Sequence, residues 1–337
     1  VSATVPPLLT IDGVKIAFGD EDAPLLAVRG VSLEVAPGEV VGLVGESGSG
    51  KSLTCRSVMR LVSRPGRVAE GTVHFEGRDV LGMSARELRA FRANDVGMIY
   101  QDPFSSLNPV FRVGDQLVET LRANRGLGKA QARAEAAALL DRVGIPDPER
   151  RLLSYPHELS GGMRQRVMIA LATASEPRLL IADEPTTALD VTTQAQILEL
   201  LLEMRDRLGM AILLVSHDFG VIAQVCDRVA VMYGGHIVET GPVATIYDDP
   251  QHPYTRALLE SVPEVEAAAR DRSTLPRAGI PGQPPELGEE LPGCVFAPRC
   301  AHERPGCQGI TMALEPVGAD HASACPVRPF ARTEVAR

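Results

Sequence analysis

The sequence has 337 residues, with 34 Lys plus Arg against 43 Asp plus Glu, a formal net charge of −9. An apolar fraction of 45% and a charged fraction of 23% exclude wholesale disorder and a fibrous repeat, and the length suits about two domains. The acidic balance excludes the global positive field of a non-specific nucleic-acid binder, while a local basic patch stays open.

Short β-branched runs alternate with helical stretches through about residue 240, which is the α/β pattern. It predicts strands at Leu9–Ile16, Val31–Val35, Val40–Val44, Gly71–Phe75, Val96–Ile99, Leu179–Ala182, Ile212–Val215, Arg228–Met232 and His236–Thr240. The last two flank Tyr233-Gly234-Gly235 and read as a hairpin. A helix is expected over Leu53–Leu61. Between about residues 84 and 175 the pattern turns helical, at Ala85–Ala93, Val113–Asn124 and Lys129–Val143, which suggests a subdomain with its own surface. After Pro250 prolines accumulate, so the tail is predicted to be mostly irregular and held by something other than a large core. The longest apolar runs are strand-length, too short for a membrane span, and the amino terminus shows no secretory pattern, so a cytoplasmic protein is expected.

Gly45-Glu46-Ser47-Gly48-Ser49-Gly50-Lys51-Ser52 follows the apolar strand Val40–Val44 and fits GxxxxGK[ST]. Its glycines let the backbone curl so that successive N–H groups and a helix N-terminus, opening on Ser52 and Leu53, face the phosphates of a nucleotide. Lys51 is expected on the β/γ oxygens and the Ser52 hydroxyl on Mg²⁺. Leu179–Ala182 leads into Asp183 and Glu184: Asp183 suits the Mg²⁺ shell opposite Ser52, and Glu184 suits a base that polarises the attacking water. Without the glycine-rich loop, the pair would read as a solvated strand end. Leu159-Ser160-Gly161-Gly162-Met163 opens a further helix with Ser160 as its N-cap, and so makes a second anion site.

These motifs resemble the ATP-binding cassette (ABC) superfamily, whose signature is LSGGQ; Met163 stands where that motif has Gln. The resemblance implies an α/β, ABC-type P-loop ATPase with a RecA-like core, an antiparallel β-subdomain and a helical subdomain. It implies that Ser160, Gly161, Gly162 and Met163 act in trans on the ATP of a second ABC subunit, an identical chain or a paralogue. Gln101 resembles the Q-loop glutamine that links Mg²⁺ and water to the helical subdomain. Asp190, in Ala188-Leu189-Asp190, resembles the D-loop, and His217 resembles the switch histidine that contacts the γ-phosphate. Phe18 resembles the aromatic that stacks on adenine, with a core Phe as the alternative.

Three longer strings, Tyr100–Pro109, Tyr155–Gly162 and His252–Leu259, are similar to the oligopeptide/dipeptide/nickel importer ATPases. This likeness runs from about Leu8 to Pro326. It implies a nucleotide-binding domain over 8–260 and a Pro/Cys-rich carboxy-terminal extension over 261–337. Such a subunit sits peripherally on the cytoplasmic face of the membrane. Its partners are two transmembrane permease subunits and an extracytoplasmic solute-binding protein, with no nucleic acid. The Gln101–Leu121 stretch and the helical insert would form a groove for a permease coupling helix. Peptides are the expected cargo, with nickel or another small solute as the alternative. A non-transport ABC ATPase of DNA repair or translation is disfavoured by the single cassette and short insert, and an inactive cassette by Glu184 and His217.

Of six cysteines, Cys55 and Cys226 fall in apolar helical patterns and read as core. Cys294, Cys300, Cys307 and Cys325 offer four thiolates in a segment with little core, which suits a metal site better than disulfides in the cytoplasm. The spacing lacks the Cys-x2-Cys pairs of zinc ribbons, and the final Cys-Pro suits an iron–sulfur ligand. The family resemblance implies a [4Fe–4S] cluster. Zinc, with His302 and His321 as further ligands, and free thiols remain open.

Overall fold

A computed structural model describes residues 6–20, 24–101, 106–187, 189–261, 279–289 and 291–330. The chain divides into two compact units, Val1–Leu8 with Val35–Glu39 and Gly82–Val215, and Leu9–Glu34 with Val40–Leu81 and Ser216–Arg337.

The second unit begins with β1 (Leu9–Phe18), β2 (Leu25–Val35), β3 (Val40–Val44), α1 (Lys51–Val58), β4 (Arg67–Phe75) and β5 (Arg78–Asp79). Four of these strands form a sheet in the order β2-β1-β4-β5. In β1 the buried positions are Leu9 and Ile11, then Val14 and Ile16. That change of parity needs one extra residue, and the register against β4 slips between Asp12 and Lys15, where Gly13 has φ 58°. β3 is buried at every residue, as a strand covered on both faces must be. The helix expected at Leu53–Leu61 runs instead from Lys51, because Gly50, in a left-handed conformation, is its N-cap.

The first unit carries α2 (Ala85–Asn94), β6 (Val96–Ile99), α3 (Val113–Arg125), α4 (Lys129–Arg142), α5 (Pro148–Arg151), α6 (Gly161–Thr173), β7 (Leu179–Asp183), α7 (Val191–Leu208) and β8 (Ala211–Ser216). Its strands are parallel in the order β6-β7-β8, Leu179 lying opposite Val96 on one side and Ala211 on the other. α2 starts at a capping box in which Ser84 and Glu87 satisfy each other's backbone N–H. α3 buries Val113, Gly114, Leu117 and Leu121, and α4 buries Ala132, Ala136, Leu139 and Leu140, each a stripe at helical spacing. Gly114 is required by packing: a Cβ there would stand 2.6 Å from the Leu152 carbonyl oxygen.

The second unit resumes with α8 (Phe219–Val225), β9 (Arg228–Tyr233), β10 (His236–Pro242), α9 (Val243–Asp248) and α10 (Pro253–Glu260). β3 pairs in parallel with β9, and β9 with β10 as an antiparallel hairpin whose turn residues Gly234 and Gly235 both have positive φ. The string His252-Pro253-Tyr254 starts α10: the His252 ring accepts the Tyr254 N–H, and proline takes the first helical position.

Among its described residues the tail is mostly irregular, as its prolines predict, apart from two 3₁₀ turns and one short ribbon. Its residues form β11 (Glu315–Gly318) and β12 (His321–Ser323), which pair antiparallel, and β12 extends the hairpin edge at β10. The tail also has apolar anchors of its own. Phe296 is buried against Tyr233, ring centroids 5.2 Å apart and edge-on, and against Tyr254 at 5.3 Å. Glu239, fully buried, accepts the N–H groups of Gln251 and His252 and the Nε2–H of His321 at 2.8 Å. Cys226 lies at the C-cap of α8 in extended conformation, rather than inside the helix expected there.

Candidate functional site

In the second unit the loop after β3 closes on itself. Lys51, nearly buried, donates from Nζ to the carbonyls of Gly45 (2.7 Å) and Glu46 (2.8 Å) and to Ser49 Oγ (3.3 Å). Ser47 and Gly48 are exposed at the crest, while Ser52 and Leu53 are half-buried in the first turn of α1. A Cβ on Gly45 would collide with the Met232 carbonyl oxygen, and one on Gly50 would lie 3.0 Å from that of Ala27. The hairpin turn braces the loop from outside, since Gly235 N–H donates to Ser49 O. This arrangement leaves backbone N–H groups and an ammonium near one helix N-terminus, a receptor for phosphates.

Three residues that the motif did not mark also hold the loop. The Glu46 N–H donates to the Tyr254 hydroxyl at 2.8 Å, and the Glu46 carboxylate takes both ends of the Arg299 guanidinium at 2.7 and 3.1 Å. Tyr233 adds its hydroxyl to Arg299 at 3.1 Å. Phe18 is half-buried with its ring against Gly66, where a Cβ would come within 2.8 Å of it. His217 is exposed just after β8, and Asp218 caps α8 through the Gly220 N–H.

In the first unit Asp183 ends β7 fully buried and Glu184 follows with φ 50°, a left-handed conformation that a glutamate adopts only under constraint. Its N–H is tied to Val215 O at 3.0 Å. Glu184 Oε2 accepts from Gln101 Nε2 at 3.0 Å and from Thr187 Oγ1 at 2.9 Å. The structure therefore brings Gln101 and Glu184 together, and Thr187 joins them without any sequence signal. Asp102–Ser105, from the string that carried Gln101, and Ala188 of the D-loop lie outside the described residues.

The signature also sits in the first unit. Ser160 Oγ accepts the Met163 N–H at 3.3 Å and caps α6, as expected. Gly162 is there for space, since a Cβ would stand 2.7 Å from Thr193 Cγ2. Thr193 in turn donates its N–H and its hydroxyl to the Asp190 carboxylate, holding that group below the usual carboxylate range. Signature and D-loop thus meet through one threonine.

Cys294, Cys300, Cys307 and Cys325 line one small apolar cavity with His252, Phe296 and His302. Burial, followed by the neighbouring thiols, pushes the Cys294 thiol up to about 11. Cys300 and Cys325 are raised for the same reasons. Among the described residues no group of three or more His, Cys, Asp or Glu side chains converges as one metal ion requires. His321 does not line that cavity, and its Nε2 pairs with Glu239 instead. The His252 ring is wholly buried, and burial lowers its pKa to about 3. Its Nδ1 accepts the Tyr254 N–H, which puts the proton on Nε2, and that atom has no hydrogen-bond partner among the described residues.

Among the described residues no helix is long and apolar enough to cross a membrane. Residues 28–187 match the family described as "ABC transporter", and residues 238–307 match "Oligopeptide/dipeptide transporter, C-terminal region". A protein of Brucella abortus (strain 2308) named "Putative peptide import ATP-binding protein" is 46% identical over 328 residues, 97% of each chain. A protein of the same name from Brucella melitensis biotype 1 is 46% identical over 95% of this chain and 96% of its own. Among solved structures, a dimeric post-hydrolysis state of the ATP-binding cassette MJ0796 bound to ADP and Pi superposes with a TM-score of 0.63. It is 26% identical, over 70% of this chain and 98% of that one. The cbiO1 protein of Clostridium perfringens, part of the ABC transporter complex cbiONQ, gives a TM-score of 0.62 at 27% identity, over 72% and 91%.

Proposed function

Because this chain belongs to the ABC transporter family of ATP-binding proteins, we propose that it is the ATP-hydrolysing subunit of a peptide importer. The observation that carries hydrolysis is the fixing of Glu184, whose backbone is held in a left-handed conformation and whose carboxylate is oriented by Gln101 and Thr187. Held there, Glu184 takes a proton from the attacking water, and Gln101 senses its orientation. Lys51 and the loop amides of Gly48–Ser52 bind the β/γ-phosphates, exchanging the loop carbonyls that Lys51 now holds for phosphate oxygens. Ser52 and Asp183 are the residues that would hold Mg²⁺, which when bound neutralises charge on those phosphates. His217 contacts the γ-phosphate, Phe18 stacks on adenine, and Ser160 to Met163 with Asp190 serve the ATP of a second ABC subunit.

Peptide cargo is supported by the names of the relatives and by the match to an oligopeptide/dipeptide transporter region. Docking of permease subunits is supported by apolar side chains left in water on the helical part. Val110 is 71% exposed, Phe111 53% and Leu153 48%, and the Val113 N–H bonds Ser154 O to bring their segments together. A coupling helix on that patch would keep the subunit peripheral on the cytoplasmic face, below two permeases and a solute-binding protein.

For the tail we infer a [4Fe–4S] cluster rather than zinc. Four thiols line one small apolar cavity, and the last of them is followed by Pro326, as in some cluster-binding runs. The Nε2–H of His252, without a partner among the described residues, is a donor of the kind that bonds cluster sulfur. When bound, the cluster would supply the positive charge that four buried thiolates need.

The test is growth on di- and oligopeptides as the sole source of a required amino acid, in a host whose own copy is deleted. The parental chain should restore growth. Glu184→Gln should not, and should retain ATP in purified dimers, whereas Lys51→Ala should lose ATP binding itself. Rescue by Glu184→Gln at the parental rate refutes the hydrolytic role, and restored nickel uptake without peptide uptake refutes the cargo.

A further inference from the structure

Arg299 lies in a single 3₁₀ turn, Ala297–Arg299, between the first two cysteines of the tail, and its side chain is only 4% exposed. All five of its N–H donors are used. Nε donates to Pro281 O (2.7 Å), Nη1 to Glu46 Oε2 (2.7 Å) and Tyr233 Oη (3.1 Å), and Nη2 to Glu46 Oε1 (3.1 Å) and Ile280 O (2.9 Å). A guanidinium so saturated has one orientation, and its fork matches a carboxylate bidentately.

The carboxylate it holds is the second residue of the phosphate loop. Glu46 is fixed at three points: its side chain by Arg299, its N–H by the Tyr254 hydroxyl, and its carbonyl by Lys51 Nζ at 2.8 Å. A run of direct contacts therefore leads from the peptide bond before Cys300, through Arg299 and Glu46, to the lysine that receives phosphate. Glu46 also puts a negative charge in a loop built to take anions, and Arg299 cancels it at contact distance.

We propose that Arg299 is a positioning residue for the phosphate loop, through which the folded cysteine-bearing tail sets the affinity for ATP. The proposal rests on the nucleotide role of that loop, and goes beyond it in making the tail part of the ATP-binding apparatus. It is read from the coupling between Arg299 and Glu46 in the full chain, with a fluorescent ATP analogue as the probe.

Arg299→Met should raise the Kd for ATP on the order of tenfold, the value of about one charge-assisted hydrogen bond. KM for ATP should rise with it, while turnover at saturating ATP changes less. In a Glu46→Gln background the same substitution should change the Kd by less than about twofold, since its route to the loop is already cut. A Kd within about twofold of the parent for Arg299→Met, or the same factor in both backgrounds, overturns the proposal. Should Arg299→Met unfold the tail, Arg299→Lys keeps the charge without the fork and is judged in the same cycle by the same criterion. Lys51→Ala separates the two failures. If it abolishes binding while Arg299 variants do not, the coupling alone is wrong. If it leaves binding intact, the loop itself has been misread.

Discussion

Replacing Glu239 by Gln tests how the tail is anchored to the β9–β10 hairpin. The Glu239 carboxylate has no exposure and accepts three N–H groups, from Gln251 (2.6 Å) and His321 Nε2 (2.8 Å) on Oε1 and from His252 (3.0 Å) on Oε2. A glutamine offers one accepting oxygen, and its least costly placement keeps that oxygen on Gln251 and His321 and turns its NH₂ toward the His252 N–H. One buried donor then faces another donor, at about 1–3 kcal/mol. Loss of the charge weakens the other two bonds, bringing the total to about 2–4 kcal/mol. At roughly 2–4 °C per kcal/mol, this lowers Tm by roughly 4–16 °C. Urea titration gives the free energy, and amide exchange at Ala324, whose N–H bonds Val238 O of β10, reports where the loss falls. A change below about 0.5 kcal/mol, with Ala324 exchange unaltered, would refute the anchoring role.

Gly45→Ala places a Cβ on the Met232 carbonyl oxygen and should weaken ATP binding on the order of tenfold or more, because β9 and the loop cannot both keep their places. Parental affinity in a nucleotide titration sinks that reading. Burial holds His252 near pKa 3, below its unfolded value, so the unfolded chain binds the proton first as pH falls. The resulting stability is full above about pH 6.5 and is lost as pH falls toward 3. NMR should find the His252 ring signals flat from about pH 5 to 8, and a midpoint near 6.5 would contradict its burial. In metal-free protein the Cys294 thiol, pushed up to about 11, should resist alkylation until strongly alkaline pH. Its folded pKa lies above the unfolded one, so its contribution to stability holds below about pH 8.5 and disappears as pH rises through about 11. Rapid labelling at neutral pH would show the pocket to be open.

What could be read from the sequence was local. Gly45–Ser52, the Ser160 cap, the strand into Asp183 and the Gly234-Gly235 hairpin are specified by neighbours within about one turn, and the structure has them where the pattern set them. Some element bounds moved by more than a turn's worth of residues, as at β2, where Leu25–Gly30 lengthen a strand expected from Val31. The interactions that complete the site are not local. Arg299 meets Glu46 across 253 positions, and His321 meets Glu239 across 82, and no periodicity encodes either. Proline content described the tail as mostly irregular, which it is, but gave no sign of the ribbon, because it reports on the elements a segment cannot make by itself. A two-strand ribbon of four and three residues needs little regular sequence once the edge of β10 is available to pair with. The left-handed backbone of Glu184 was equally hidden, since nothing in a residue's type announces that its φ will be forced positive.

The long reach of the Arg299–Glu46 pair also orders events in time. A ribosome delivers Glu46 first and Arg299 253 residues later, a delay of about 13–50 s at about 5–20 residues per second. Tyr254, which holds the Glu46 N–H, arrives after 208 residues. Until Tyr254 arrives the nascent phosphate loop has its glycines and its lysine but neither of its outer clamps, and until Arg299 arrives it has only one. A chain truncated in synthesis before the tail would carry every recognisable nucleotide motif and still lack the Arg299 contact that braces the loop through Glu46.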